Sequence, residues 1–200
     1  MGAKTEQNKQ QKRTALLNSA FSLFTVKGLQ KTSVSDIVEE AGVAKGTFYQ
    51  YFRDKNDIRN KLISHKASQL FLAAWEELNR TDLVSFEEQI LFMADYILDC
   101  LNQDKSLLTF LSKHLSWGVF KNSLTEQESN APDSVYDLFV QMLENSGHVF
   151  RDPEIMIYLI VETISGSSYN PILYGQPASL EEMKPHIFEL VRHIIKEHYA

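Results

Sequence analysis

Within six residues of the stretch GVAKGTFYQYFRDK, Gly42 to Lys55, the sequence sets out a cation (Lys45), a hydroxyl (Thr47), a phenol (Tyr49) and an amide (Gln50). At about 100° per residue, Phe48 and Phe52 share one face of a helix. Gly46, Thr47, Tyr49 and Gln50 turn largely the other way. Lys45 sits in the first turn and is long enough to reach outward. Such a set can meet phosphates, base edges and thymine methyls in a major groove. Gly46, lacking a side chain, lets the backbone approach a partner closely, and the positive end of the helix favours a phosphate.

The elements that would hold this face are helices. RTALLNSAFSLFTVKG sets Leu17, Ala20, Phe21 and Phe24 on one stripe, with Gly28 where a cap would fall. TSVSDIVEEAG repeats the pattern through Val34, Ile37, Val38 and Ala41; Thr32 or Ser33 caps it, and Gly42 ends it. A short third helix runs from about 45 to 52. Two helices joined by a tight glycine turn form a helix-turn-helix arrangement. Further helices are expected at about 54–79, 85–102, 104–120, 133–147, 152–170 and 180–198, with a polar loop over 121–134. The expected fold class is all-α: an amino-terminal three-helix helix-turn-helix domain over 1–53 and a larger helical domain over 54–200.

TSVSDIVEEAGVAKGTFYQYFRDKNDI, Thr32 to Ile58, resembles the amino-terminal signature of the tetracycline-repressor (TetR) family of bacterial transcription regulators. The resemblance covers roughly residues 12–62. It implies a two-domain, all-α homodimer whose ligand-binding core controls binding to a double-stranded DNA operator. Matched residue by residue, Thr32 and Ser33 fall at backbone contacts beside the second helix. Lys45, Thr47, Tyr49 and Gln50 fall at recognition positions, and Tyr51 and Lys55 at phosphate contacts. Ala44 departs from the pattern, because many members carry serine before the Lys-Gly pair, so the hydroxyl cap of the recognition helix is missing.

In the body, residues 155–164 are apolar on almost every face, and a helix apolar all round needs neighbours on all sides. With the last helix it looks like half of an intersubunit four-helix bundle, through Ile155, Leu159, Ile187, Val191 and Ile194; ordinary intrachain core is the alternative. Aromatic residues crowd the middle helices. Phe92, Tyr96, Phe110, Trp117 and Phe139 are candidates to line a cavity for a small, largely apolar effector. Glu162 interrupts an apolar helix: buried, it calls for a partner, either a cationic or hydrogen-bonding ligand group or a protein donor such as a tyrosine hydroxyl, and a solvated or interface position is the equal alternative.

Charge supports this division. The net charge of −6 and pI near 5.5 conceal an asymmetry. Residues 1–61 carry eleven Lys/Arg against six Asp/Glu, whereas 62–200 carry nine against twenty. A basic contact module joined to an acidic body fits that balance. A single cysteine, Cys100, excludes an internal disulfide framework and fits a reducing compartment. The polar amino terminus has no signal-peptide core, and the longest strongly apolar run, Ile155–Val161, is too short to span a bilayer. A soluble, cytoplasmic protein with no membrane partner is expected. ELVRHIIKEHY lacks the HExxH spacing of a zinc helix, so His193 and His198 read as surface or interface residues. There is no phosphate loop, nucleophile elbow or pair of catalytic carboxylates, so no catalytic residue, metal or cofactor is expected. The reading is a transcriptional repressor released by its ligand. An activator, a ligand-independent regulator, or an all-α enzyme or lipid carrier with an appended DNA module are the alternatives.

Overall fold

The computed structural model describes residues 2–114 and 135–200. The chain forms two compact units, Met1–Ser64 and His65–Ala200. Every regular element among the described residues is an α-helix. None of these helices is long and apolar enough to cross a membrane.

The first unit contains α1 (Gly2–Val26), α2 (Val34–Glu40), α3 (Lys45–Tyr51) and the start of α4 (Lys55–Leu78). Residues 6–9 of α1 are exposed, and full burial begins only at Leu16. From there Leu16, Leu17 and Ala20 of α1, Ile37 of α2, and Phe48 and Phe52 are all 0–2% exposed. Each side chain so buried contributes about 1.5–3 kcal/mol, less for alanine. Local chemistry fixes the helix ends. Ser33 caps α2: its hydroxyl accepts the Asp36 N–H at 3.1 Å, and its own N–H donates to the Asp36 carboxylate at 2.7 Å. At the other end Gly42 takes φ +65°. The Val43 N–H then reaches the Val38 carbonyl at 3.0 Å and the Gly42 N–H reaches that of Glu39 at 3.1 Å. This double bond pattern closes a helix only where one residue turns left-handed, which glycine does without steric cost.

The first unit ends at Ser64, inside α4. Ile58, Leu62 and Ile63 are 0% exposed, so the opening turns of α4 are packed as core.

The second unit contains the rest of α4, α5 (Phe86–Gln103), α6 (Lys105–His114), α7 (Val135–Asn145), α8 (Pro153–Tyr174) and α9 (Leu180–Glu197). The expected helix 104–120 is described only as far as His114, and the expected loop 121–134 lies outside the described residues. α8 runs past its expected end at 170: Pro171 forgoes a helical N–H but is itself buried, and Ile172 behind it is 3% exposed, so packing outweighs the lost bond.

One core joins Phe86, Ile90 and Leu91 of α5 to Met156 and Ile160 of α8 and to Val191 and Ile195 of α9. A second gathers Leu98, Leu108, Ile172 and Leu180. α9 is also tied to α5 by charge. Lys184, 8% exposed, lies 2.8 Å from Asp95 and 2.5 Å from Asp99. Burial alone would lower the Lys184 pKa, but hydrogen bonds from its ammonium to Asp95 and Asp99 outweigh that and leave it raised. The last residues are pinned by an isolated bridge between Phe150 and Tyr199, with the Arg151 N–H 2.7 Å from the His198 carbonyl.

Candidate functional site

Two separate sites are built, one in each unit. In the first, α3 sorts its side chains as its phase requires. Phe48 is 0% exposed and stacks at 5.5 Å on Phe52, while Tyr49, its neighbour, is 56% exposed. Lys45, Gly46 and Gln50 are also exposed and Thr47 is half-buried. Tyr49 leans edge-on against Phe48 at 5.3 Å, which steadies the phenol without covering it. At the head of α3 Ala44 is extended, with φ −69° and ψ 147°, and offers no side-chain hydrogen bond.

The flanking residues divide differently. Thr32 is 2% exposed and its hydroxyl donates to the Gly28 carbonyl at 2.9 Å, so it closes the end of α1 and does not face outward. Ser33 is exposed, but its hydroxyl is engaged in the α2 cap. Lys55 is half-buried; its ammonium donates to the Leu29 carbonyl at 2.8 Å and to that of Gln30 at 3.5 Å, which fastens α4 to the α1–α2 loop. Tyr51 is half-buried beside Phe52. Two polar residues were not anticipated: Ser35, whose hydroxyl lies 3.4 Å from the Lys45 ammonium, and Arg53, whose side chain is 88% exposed.

The second site is a cavity of about 480 Å³ within the carboxy-terminal unit. This volume falls within the roughly 300–1,000 Å³ typical of small-molecule sites. Each wall is a helical stripe. Ala67, Leu70, Phe71 and Trp75 come from α4; Ile90, Met93, Ala94, Ile97 and Leu101 from α5; Val135, Leu138, Phe139 and Met142 from α7. α8 contributes Ile157, Ile160, Val161 and Ile164, then Glu162, Ser165, Ser168 and Tyr169.

Of the anticipated lining residues, Phe139 and Glu162 are on these walls. Phe92, Tyr96 and Phe110 are not. On α5 the lining positions repeat at three and four residues, and Phe92 and Tyr96 fall on the opposite side of that helix. Phe92 packs on the core instead, and burial, with the Cys100 thiol next in effect, pushes the Tyr96 phenol pKa up. Phe110 is 5% exposed in core beside the lining Leu111. Trp117 lies outside the described residues.

The residues expected at an intersubunit face also separate. Ile155 and Leu159 are 52% and 38% exposed. Ile187 and Val191 are 1% and 0% exposed within their own chain, and Ile194 packs on the same core, so these three build the unit itself. Leu190, 53% exposed, is the outward apolar residue of α9.

The profile of the family described as bacterial regulatory proteins, tetR family, matches residues 16–62, the stretch that builds α2, α3 and their packing partners. Over these residues the first unit is similar to the amino-terminal segment of that family. Over 59 residues the chain is 44% identical to the uncharacterized HTH-type transcriptional regulator YvdT of Bacillus subtilis, a match spanning 28% of this chain and 30% of that one. It is 37% identical over 62 residues to the HTH-type transcriptional regulator AcrR of Shigella flexneri, spanning 31% and 29%. The chain thus matches less than a third of the length of these two relatives. The whole fold is similar to that of the transcriptional regulator FadR from Bacillus subtilis in complex with stearoyl-CoA. The TM-score is 0.59, with 19% identity over 89% of this chain and 96% of the other.

Proposed function

We propose that the protein is a ligand-responsive DNA-binding transcriptional regulator of the tetR type, a cytoplasmic repressor and not an enzyme. The observation that carries the reading is the split of α3, with Phe48 0% exposed and Tyr49 56% exposed beside exposed Lys45 and Gln50. A surface helix gains nothing in water from an exposed phenol beside a bare glycine, but both suit close approach to a base edge. Lys45, Gly46, Thr47, Tyr49 and Gln50 then read the groove, and Arg53 and Tyr51 meet phosphates.

The regulator works as a homodimer. Ile155, Tyr158 and Leu159 of α8 and Leu190 of α9 leave apolar surface uncovered in one chain, and a second copy would bury it. Two recognition helices spaced about 34–36 Å apart would meet successive major grooves of a palindromic operator. The apolar cavity receives the effector; likeness of fold to a regulator crystallised with stearoyl-CoA supports a long apolar ligand. Binding that differs by about 1–3 kcal/mol between two arrangements of the body would release the operator by 5- to 150-fold.

The test is selection of duplexes from a random-sequence library by the full chain. A symmetric consensus with half-sites one helical turn apart is the expected result. Recovery of no preferred sequence would refute the reading.

A further inference from the structure

We propose that the effector is an amphiphilic organic cation, an apolar body carrying one ammonium-type head that sits against Glu162. This rests on the reading of the cavity as the ligand site and names the chemistry that site selects. The cavity is graded along α8. Ile157, Ile160 and Val161 face it at one end, and Ser165 and Tyr169 at the other, about 18 Å along the axis from first to last. Glu162 stands at the change from apolar to polar.

Its carboxylate is the one charged group among the described lining residues, where there is no lysine, arginine or histidine. Among the described residues Glu162 makes no ion pair or side-chain hydrogen bond, and it is exposed at the rim of the cavity. An anionic head at this place would meet a like charge beside an apolar wall. A cationic head would neutralise Glu162 and leave the apolar body in the interior.

Aromatic rings point the same way. Phe71, Trp75 and Tyr169 line the cavity, and Phe71 packs with Val161 against Val135, which sets a ring next to the turn that carries Glu162. Aromatic faces attract ammonium groups and have no such preference for carboxylates. Serine hydroxyls at 165 and 168 can serve a neutral or cationic head equally.

The experiment is titration calorimetry of the full chain with three probes sharing one tail: decyltrimethylammonium, decan-1-ol and decanoate, each below its aggregation limit. Decyltrimethylammonium is expected to bind about tenfold or more tighter than decanoate, with decanol between them. The gap should narrow as salt is raised, because Glu162 lies at a solvent-accessible rim. Glu162→Gln should bring the three affinities together while decanol binding persists. If decanol binds and the cation binds no tighter than decanoate, the cationic effector is overturned and the cavity remains a ligand site. If none of the three binds, the cavity reading falls and this inference with it.

Discussion

Ala44→Ser is expected to stabilise the amino-terminal unit, because it supplies a cap that the recognition helix lacks. Ala44 already holds the backbone of a helix cap, φ −69° and ψ 147°, close to the φ −102° and ψ 163° of the working cap Ser33. Its side chain is exposed, so an added hydroxyl meets solvent and nothing else before it turns to the helix. At Ser33 that hydroxyl lies 3.1 Å from the N–H three residues on; at position 44 the equivalent donor is the Thr47 N–H, now 2.8 Å from the Ala44 carbonyl. The hydroxyl therefore shares a donor that is partly satisfied, which places the gain at about 0.5–1 kcal/mol, the lower half of measured cap values. For a unit of this size, 1 kcal/mol moves the melting midpoint by roughly 4–8 °C. Thermal unfolding followed by circular dichroism reads the shift, with Ser33→Ala as the reciprocal control that loses a similar amount. A melting point that is unchanged or lower in Ala44→Ser, while Ser33→Ala falls, would refute the capping argument.

Three further outcomes follow from the packing. Lys184→Met should destabilise the carboxy-terminal unit by about 1–3 kcal/mol in urea unfolding, since it leaves Asp95 and Asp99 facing each other, and their partial exposure keeps the loss below that of a fully buried pair. Because the Lys184 pKa is raised above 10.5, its contribution is full below that pH and declines only as pH climbs through the raised value. The Asp36 carboxyl is held below its ordinary 3.8, first by the Ser33 N–H and then by the Ser33 hydroxyl. Its stabilisation is therefore present above pH 3.8 and is lost as pH falls through the lowered value, so wild type and Asp36→Asn should differ near neutrality and converge in acid. Leu159→Asp should convert a dimer to a monomer in light scattering with the chain still folded, whereas Val191→Asp, placed in the 0% exposed core, should unfold the second unit.

What was legible in the sequence tracks how local its physical cause is. The α2–α3 turn is set by neighbours: Ser33 with Asp36, Gly42 with the end of α2, Phe48 with Phe52. All these pairs lie within a few residues, so the pattern of types carries the geometry. The cavity walls depend on the phase of several helices at once. Aromatic character alone points to Phe92 and Tyr96, but the repeat of Ile90, Met93, Ala94, Ile97 and Leu101 on the other side of α5 is the better guide. α8 is apolar all round and has no phase to read, which is why Ile155 and Leu159 outward and Met156 and Ile160 inward emerge only from packing. α9 does have a readable stripe, but a stripe does not say whose core it enters; Ile187 and Val191 enter their own. Thr32 and Lys55 show the same limit on a small scale, since a hydroxyl and an ammonium suited to a phosphate are engaged by carbonyls of the chain itself.

The central claim is that the outward face of α3 reads DNA. Fluorescence anisotropy of the selected duplex against the wild type and Tyr49→Ala, alongside a scrambled duplex, tests it most directly. The expected result is a loss of about 1–3 kcal/mol on the selected duplex with Tyr49→Ala, little change on the scrambled one, and an unaltered melting point. Equal affinity of wild type and Tyr49→Ala for the selected duplex would contradict the account.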